Sequence, residues 1–74
     1  MTKLSPISPH KLEKIILNIG FKPMRQKGSH VFYLHQDGRY TTIPFHGNRE
    51  IAPPLLQRIL KEIKMNREEF QQYL

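Results

Sequence analysis

Leu12, Ile15, Ile16 and Ile19 recur at i, i+3, i+4 and i+7, and Leu56, Ile59, Leu60 and Ile63 repeat that spacing near the other end of the chain. Each set forms one apolar face on an α-helix and no consistent face on a strand. Both sets carry start signals. Ser8-Pro9 reads as an N-cap followed by proline at the first helical position, where the missing N–H costs nothing because that donor has no helical partner. Pro53-Pro54 opens the second helix in the same way, and Gly20 can supply the left-handed residue that ends the first. Asn66 with Glu69 three residues on makes a capping-box-like start for a short final helix, with Phe70 and Leu74 on one side.

Between the two stripes the period changes to two. Phe21 to Lys27 alternates imperfectly and contains Pro23, which cannot donate to a ladder, so it reads as an edge strand. Gly28-Ser29 marks a turn. His30 to His35 is rich in aromatic and β-branched residues, and the Asp-Gly of Gln36-Asp37-Gly38-Arg39 signals a hairpin into a further strand from Tyr40 to Ile43. Pro44 to Glu50 has no period and reads as an exposed loop. The expected fold is α+β: helix, three-stranded antiparallel sheet, helix and short C-terminal helix, with both long helices on one sheet face and the other face open. That is the element order of double-stranded-RNA-binding domains. A chain of 74 residues is expected to form one domain over 1–74, burying little more than ~60% of its unfolded surface.

The formal net charge is +6, which favours a negatively charged partner, nucleic acid or acidic protein. The excess is concentrated in the first half, where Lys3, Lys11, Lys14, Lys22, Arg25 and Lys27 face only Glu13 and Asp37. The absence of cysteine excludes disulfides and thiolate metal sites and fits a reducing, cytoplasmic setting. The sequence after Met1 leads into no apolar h-region, so neither a signal peptide nor a membrane span is expected.

His30 is the first candidate for chemistry. It follows Arg25, Lys27 and the Gly28-Ser29 turn, where glycine permits close backbone approach, the serine hydroxyl can bond a phosphate oxygen and the cations attract one. An imidazole with an ordinary pKa of about 6.5 exchanges a proton near neutrality, as cleavage of RNA through its own 2′-hydroxyl requires. Arg25, Lys27, Gly28, Ser29 and the loop histidine His46 are the expected RNA contacts, and His46 is available as a second acid or base. His10 is expected to be exposed in the first helical turn, and His35 to be a solvated strand end. None of the four histidines has metal-ligand spacing, so neither metal nor cofactor is expected. Strand alternation groups His30 with Phe32 and Leu34, a pair expected in the core. Because Phe32 and Tyr33 point to opposite faces, one of them is free to stack on a base or meet a protein.

Ser8 to Phe21, Arg25-Gln26-Lys27-Gly28-Ser29-His30, Asp37-Gly38-Arg39 and Ile43 to Ile51 together resemble, in order, the small toxins of the HicA (YcfA-like) type. The resemblance implies a double-stranded-RNA-binding-domain-like fold, endoribonuclease action on messenger RNA, His30 as catalytic histidine, and neutralisation by a cognate acidic antitoxin of the HicB type. Two positions depart from the pattern: Phe45 replaces a common basic residue, and Pro53-Pro54 a common Pro-Gly. From residues alone, a non-catalytic RNA-binding module of the same fold stands as the alternative.

Overall fold

The computed structural model describes residues 3–74. In chain order it forms α1 (Pro9–Asn18), β1 (Phe21–Lys27), β2 (His30–His35), β3 (Tyr40–Pro44), α2 (Pro53–Glu62) and α3 (Arg67–Gln71). The strands form one antiparallel sheet in the order β1-β2-β3, which leaves the proline-containing β1 at an edge. Helix α1 packs on β1 and β3, and α2 on β3. This is the α+β, double-stranded-RNA-binding-domain-like architecture expected from the sequence.

Local chemistry explains where the helices begin. The Ser8 side chain accepts from Lys11 N at 3.1 Å ahead of Pro9, and Asn66 and Glu69 complete a reciprocal capping box for α3. Ala52 caps α2 without a side-chain bond, so Pro53 fixes that start through its φ alone. The helical stripes bury Leu12, Ile15, Ile16, Leu56, Ile59, Leu60 and Ile63 against Phe21, Tyr33 and Ile43 of the sheet. Two further contributors precede α1: Leu4 and Ile7 are buried, with Ile7 bridging to Ile51. Phe70 is buried, whereas Leu74 is 51% exposed: the chain after Gln71 tightens into i→i−3 bonds, from Gln72 N–H to Glu69 O through Leu74 N–H to Gln71 O, which breaks the i, i+4 spacing of the two side chains.

Two features of the sheet decide what its open face presents. The first is the orientation of β2, where Tyr33 is buried and Phe32 and Leu34 face outward, opposite to the sequence expectation. Ile43 must be buried from β3, and directly paired residues share a face, so the pairs Val31↔Ile43 and Tyr33↔Thr41 turn inward together. Burying tyrosine is tolerated because its hydroxyl donates to the Glu13 carboxylate of α1. Burial first, and then that bond and the carboxylate charge, push the Tyr33 pKa upward.

The second feature is a bulge at Met24. The register runs Lys22↔Leu34 and Pro23↔Tyr33, then skips to Arg25↔Phe32 and Lys27↔His30. The extra residue reverses the parity of the strand, since side chains alternate with period two. Lys22 therefore shares the open face with Arg25 and Lys27. The imperfect alternation in the sequence is the trace of this bulge.

His35 is half-buried, contrary to the solvated strand end expected. Its Nε2 meets the Ile19 carbonyl at 3.0 Å and its Nδ1 the Asp37 N–H at 3.1 Å, so the ring ties the end of α1 to the second hairpin. A carbonyl can only accept, which places a proton on Nε2. The hairpin is wider than the two-residue kind, with Gly38 N–H donating to His35 O, Gly38 at φ 99 and Arg39 O accepting from His35 N.

Candidate functional site

His30 opens β2, next to the turn that joins it to β1. Lys27 and His30 are paired across that turn, so only Gly28 and Ser29 lie between them. Gly28 has φ 61, while Ser29 is not left-handed. This matches the hairpin type that requires glycine at its first central position. A Cβ at Gly28 would meet nothing within 4 Å, so the glycine serves backbone conformation, with open space above it.

On its other side His30 pairs with Pro44 of β3. The chain leaving β3 bends back at once, with Phe45 N–H donating to Ser29 O at 2.7 Å. A turn closed by Arg49 N–H to His46 O, with Gly47 at φ 57, completes the loop. These two bonds bring residues 16 apart in sequence into contact: the His30 and His46 rings meet edge to face with centroids 5.4 Å apart and planes at 89°. Both residues are exposed.

His46 Nδ1 lies 3.1 Å from Ser29 Oγ. When the hydroxyl donates, Nε2 carries the His46 proton; when Nδ1–H donates, Nε2 is a free base. Ser29 thus orients His46, and its hydroxyl is already engaged where the sequence reading had it free for a phosphate. Among the described residues none bonds a ring nitrogen of His30.

Of the expected RNA contacts, Lys27, Gly28, Ser29 and His46 gather around His30, and Arg25 stands one rung further along the open face. The Arg25 guanidinium lies over the Phe32 ring, 4.9 Å from its centroid. His10 is exposed as expected, but it also packs edge to face on Phe45, centroids 5.0 Å apart, supporting the root of the His46 loop. Phe45 is half-buried against the core and acts as that anchor. Sequence reasoning missed Lys22 and Tyr40 on this face; a bulge at Met24 and the outward turn of β2 were the facts needed to find them. Among the described residues no three His, Asp or Glu side chains converge as a metal site, and no helix is long and apolar enough to cross a membrane.

The site thus belongs to a small α+β protein with a helix–sheet–helix fold of the double-stranded-RNA-binding-domain type and two contacting imidazoles at a basic hairpin end. The family model for the HicA toxin of bacterial toxin–antitoxin pairs matches residues 9–65, from the first residue of α1 past the end of α2. The chain belongs to that family and is the toxin member of a toxin–antitoxin pair. No curated protein sequence matches it.

Proposed function

We propose that this toxin is a metal-independent endoribonuclease that cleaves messenger RNA in the cytoplasm, with His30 as its general acid or base. The observation that carries the reading is the exposed His30–His46 pair beside Lys27, with neither ring nitrogen of His30 bonded to any of the described residues. RNA supplies its own nucleophile. One imidazole takes the proton of a 2′-hydroxyl as that oxygen attacks phosphorus; the other gives a proton to the departing 5′-oxygen as its bond to phosphorus breaks. The products are a 2′,3′-cyclic phosphate and a 5′-hydroxyl, and no metal or cofactor enters the balance. Each proton transfer of this kind contributes on the order of 10²–10⁴-fold.

Lys27, directly across from His30, offsets the charge that grows on the phosphoryl oxygens. Arg25 holds a neighbouring phosphate, the Gly28-Ser29 turn leaves room for the strand to pass, and Ser29 sets the orientation of His46. An uncontrolled ribonuclease would harm its own cell, so the antitoxin of the pair is an acidic, HicB-type protein that covers the surface around His30. The net charge of +6 would speed its capture electrostatically.

Inducing the wild-type and His30→Ala chains in a bacterial host tests this reading. Wild type arrests growth and fragments messenger RNA, and His30→Ala does neither while accumulating as folded protein. Intact RNA during a wild-type growth arrest would sink the reading and leave an RNA-binding module without chemistry.

A further inference from the structure

The open face of the sheet carries more than the His30 end requires. Its three rungs are Lys27–His30–Pro44, Arg25–Phe32–Thr42 and Lys22–Leu34–Tyr40, read across β1, β2 and β3. The solvent side of a sheet ordinarily holds polar residues. Here Phe32 and Tyr40 form a ring pair with centroids 5.9 Å apart and planes at 38°. Tyr40 is 59% exposed, and the Arg25 guanidinium caps the Phe32 ring.

We infer that this face is a base-stacking platform for single-stranded nucleic acid, on which the Arg25–Phe32 layer and Tyr40 take successive bases on one side of the scissile linkage. The inference rests on the ribonuclease reading for its direction toward His30, and its occupant is set by charge and geometry. The cations run in one line along β1, from Lys27 beside His30 through Arg25 to Lys22. A phosphate backbone on that line keeps its bases over the neighbouring strand, where the rings are. Rungs that share a face are about 7 Å apart along a strand, so the rings begin one rung from His30. The line extends one way only, because the Gly28-Ser29 turn ends the sheet on the other side of His30. Arg25 serves both parts, with the face of its guanidinium under a base and its N–H edge toward the phosphate line; aromatic and guanidinium planes accept any base, so the platform would contribute affinity and placement with little sequence preference.

The test uses the full chain and a 2′-O-methyl RNA oligomer of about ten nucleotides, which cannot be cleaved, with an abasic strand of the same length as control. Binding is followed by anisotropy of a label on the oligomer. Wild type should bind the base-bearing strand more tightly than the abasic one. Tyr40→Ala should weaken the base-bearing strand about 5- to 100-fold and leave the abasic strand nearly unchanged. Tyr40→Phe, which keeps the ring, should bind as wild type. Phe32→Ala should act in the same direction as Tyr40→Ala; should it fail to fold, the Tyr40 pair decides alone. Equal binding of both strands by wild type, or Tyr40→Ala indistinguishable from wild type on the base-bearing strand, overturns the platform. Loss of antitoxin binding in Tyr40→Ala with RNA binding intact overturns it in favour of a protein-docking face. Because the probe is uncleavable, failure of the ribonuclease reading would appear separately, as intact RNA with wild-type protein.

Discussion

Replacing Tyr33 by phenylalanine removes one oxygen from the middle of the sheet and tests why the open face looks as it does. Tyr33 is fully buried, and its hydroxyl donates to the half-buried Glu13 carboxylate. A hydrogen bond to a charged group contributes roughly 1.5–3 kcal/mol. Glu13 retains some access to water, so the lower end applies, about 1.5 kcal/mol. For a domain of this size each kcal/mol moves Tm by about 4–8 °C, giving an expected drop of about 6–12 °C at neutral pH. The alkaline side carries a second signature. The Tyr33 pKa is raised by burial and by Glu13, so the folded state keeps the phenolic proton after the unfolded state has lost it. The stabilisation is fully present below pH ~10 and is lost as pH rises from there toward the folded value, with a slope of about 1.4 kcal/mol per pH unit. Tyr33→Phe should lack this component of the slope. Thermal denaturation by circular dichroism from pH 7 to 11, run on both proteins, measures it. A variant as stable as wild type or more so, with an unchanged pH profile, would refute the argument that the Glu13 bond permits Tyr33 to be buried in place of Phe32.

Gly20→Ala should destabilise the fold by about 1–3 kcal/mol by thermal melting, because the added Cβ would lie 2.8 Å from His35 Nε2 at a φ of 108. The Asp37 carboxyl is held below its ordinary range chiefly by the Arg39 backbone N–H and then by the Arg39 side chain, so its stabilising effect persists above pH ~4 and fades as pH falls below it. Acid titrations should therefore show Asp37→Asn losing less stability than wild type over that fall. For phosphate contacts by Arg25 and Lys27, log affinity for single-stranded RNA should decline with log salt, with a slope of about −0.7 per phosphate neutralised. Lys27→Ala should make that slope shallower by about the same amount, measured by anisotropy over a salt series.

The elements were legible in the sequence because their signals are local. Helix starts at Ser8-Pro9 and Asn66/Glu69 follow from capping, the start at Pro53-Pro54 from the fixed φ of proline, and the turn at Gly28-Ser29 from a glycine that the hairpin needs. The facing of β2 was not legible. Phe32 and Leu34 are more apolar than Tyr33, and the choice depends on Ile43 across the sheet and on Glu13 in α1 to satisfy a phenol. The face reached by Lys22 depends on a bulge, which alters parity without any residue type that declares it. His35 was misread for the same reason, since both of its partners come from other elements or from the folded hairpin. In the candidate site, His30 stands beside Lys27 and the Gly28-Ser29 turn, as their adjacency in the chain dictates. Its contact with His46 required the bond from Phe45 N–H to Ser29 O, which no sequence spacing announces.

Single-turnover cleavage of one end-labelled RNA by purified wild type and His30→Ala, each shown to be folded by circular dichroism, bears most directly on the central claim. The assay is run with a chelator present and repeated on the same RNA carrying 2′-deoxy at the cleaved position. The expected result is chelator-resistant cleavage by wild type, none of the deoxy-substituted strand at that position, and a rate for His30→Ala lower by about 10²-fold or more. Cleavage by folded His30→Ala at the wild-type rate, or equal cleavage of the deoxy-substituted strand, would contradict a mechanism in which His30 moves a proton for attack by the 2′-hydroxyl.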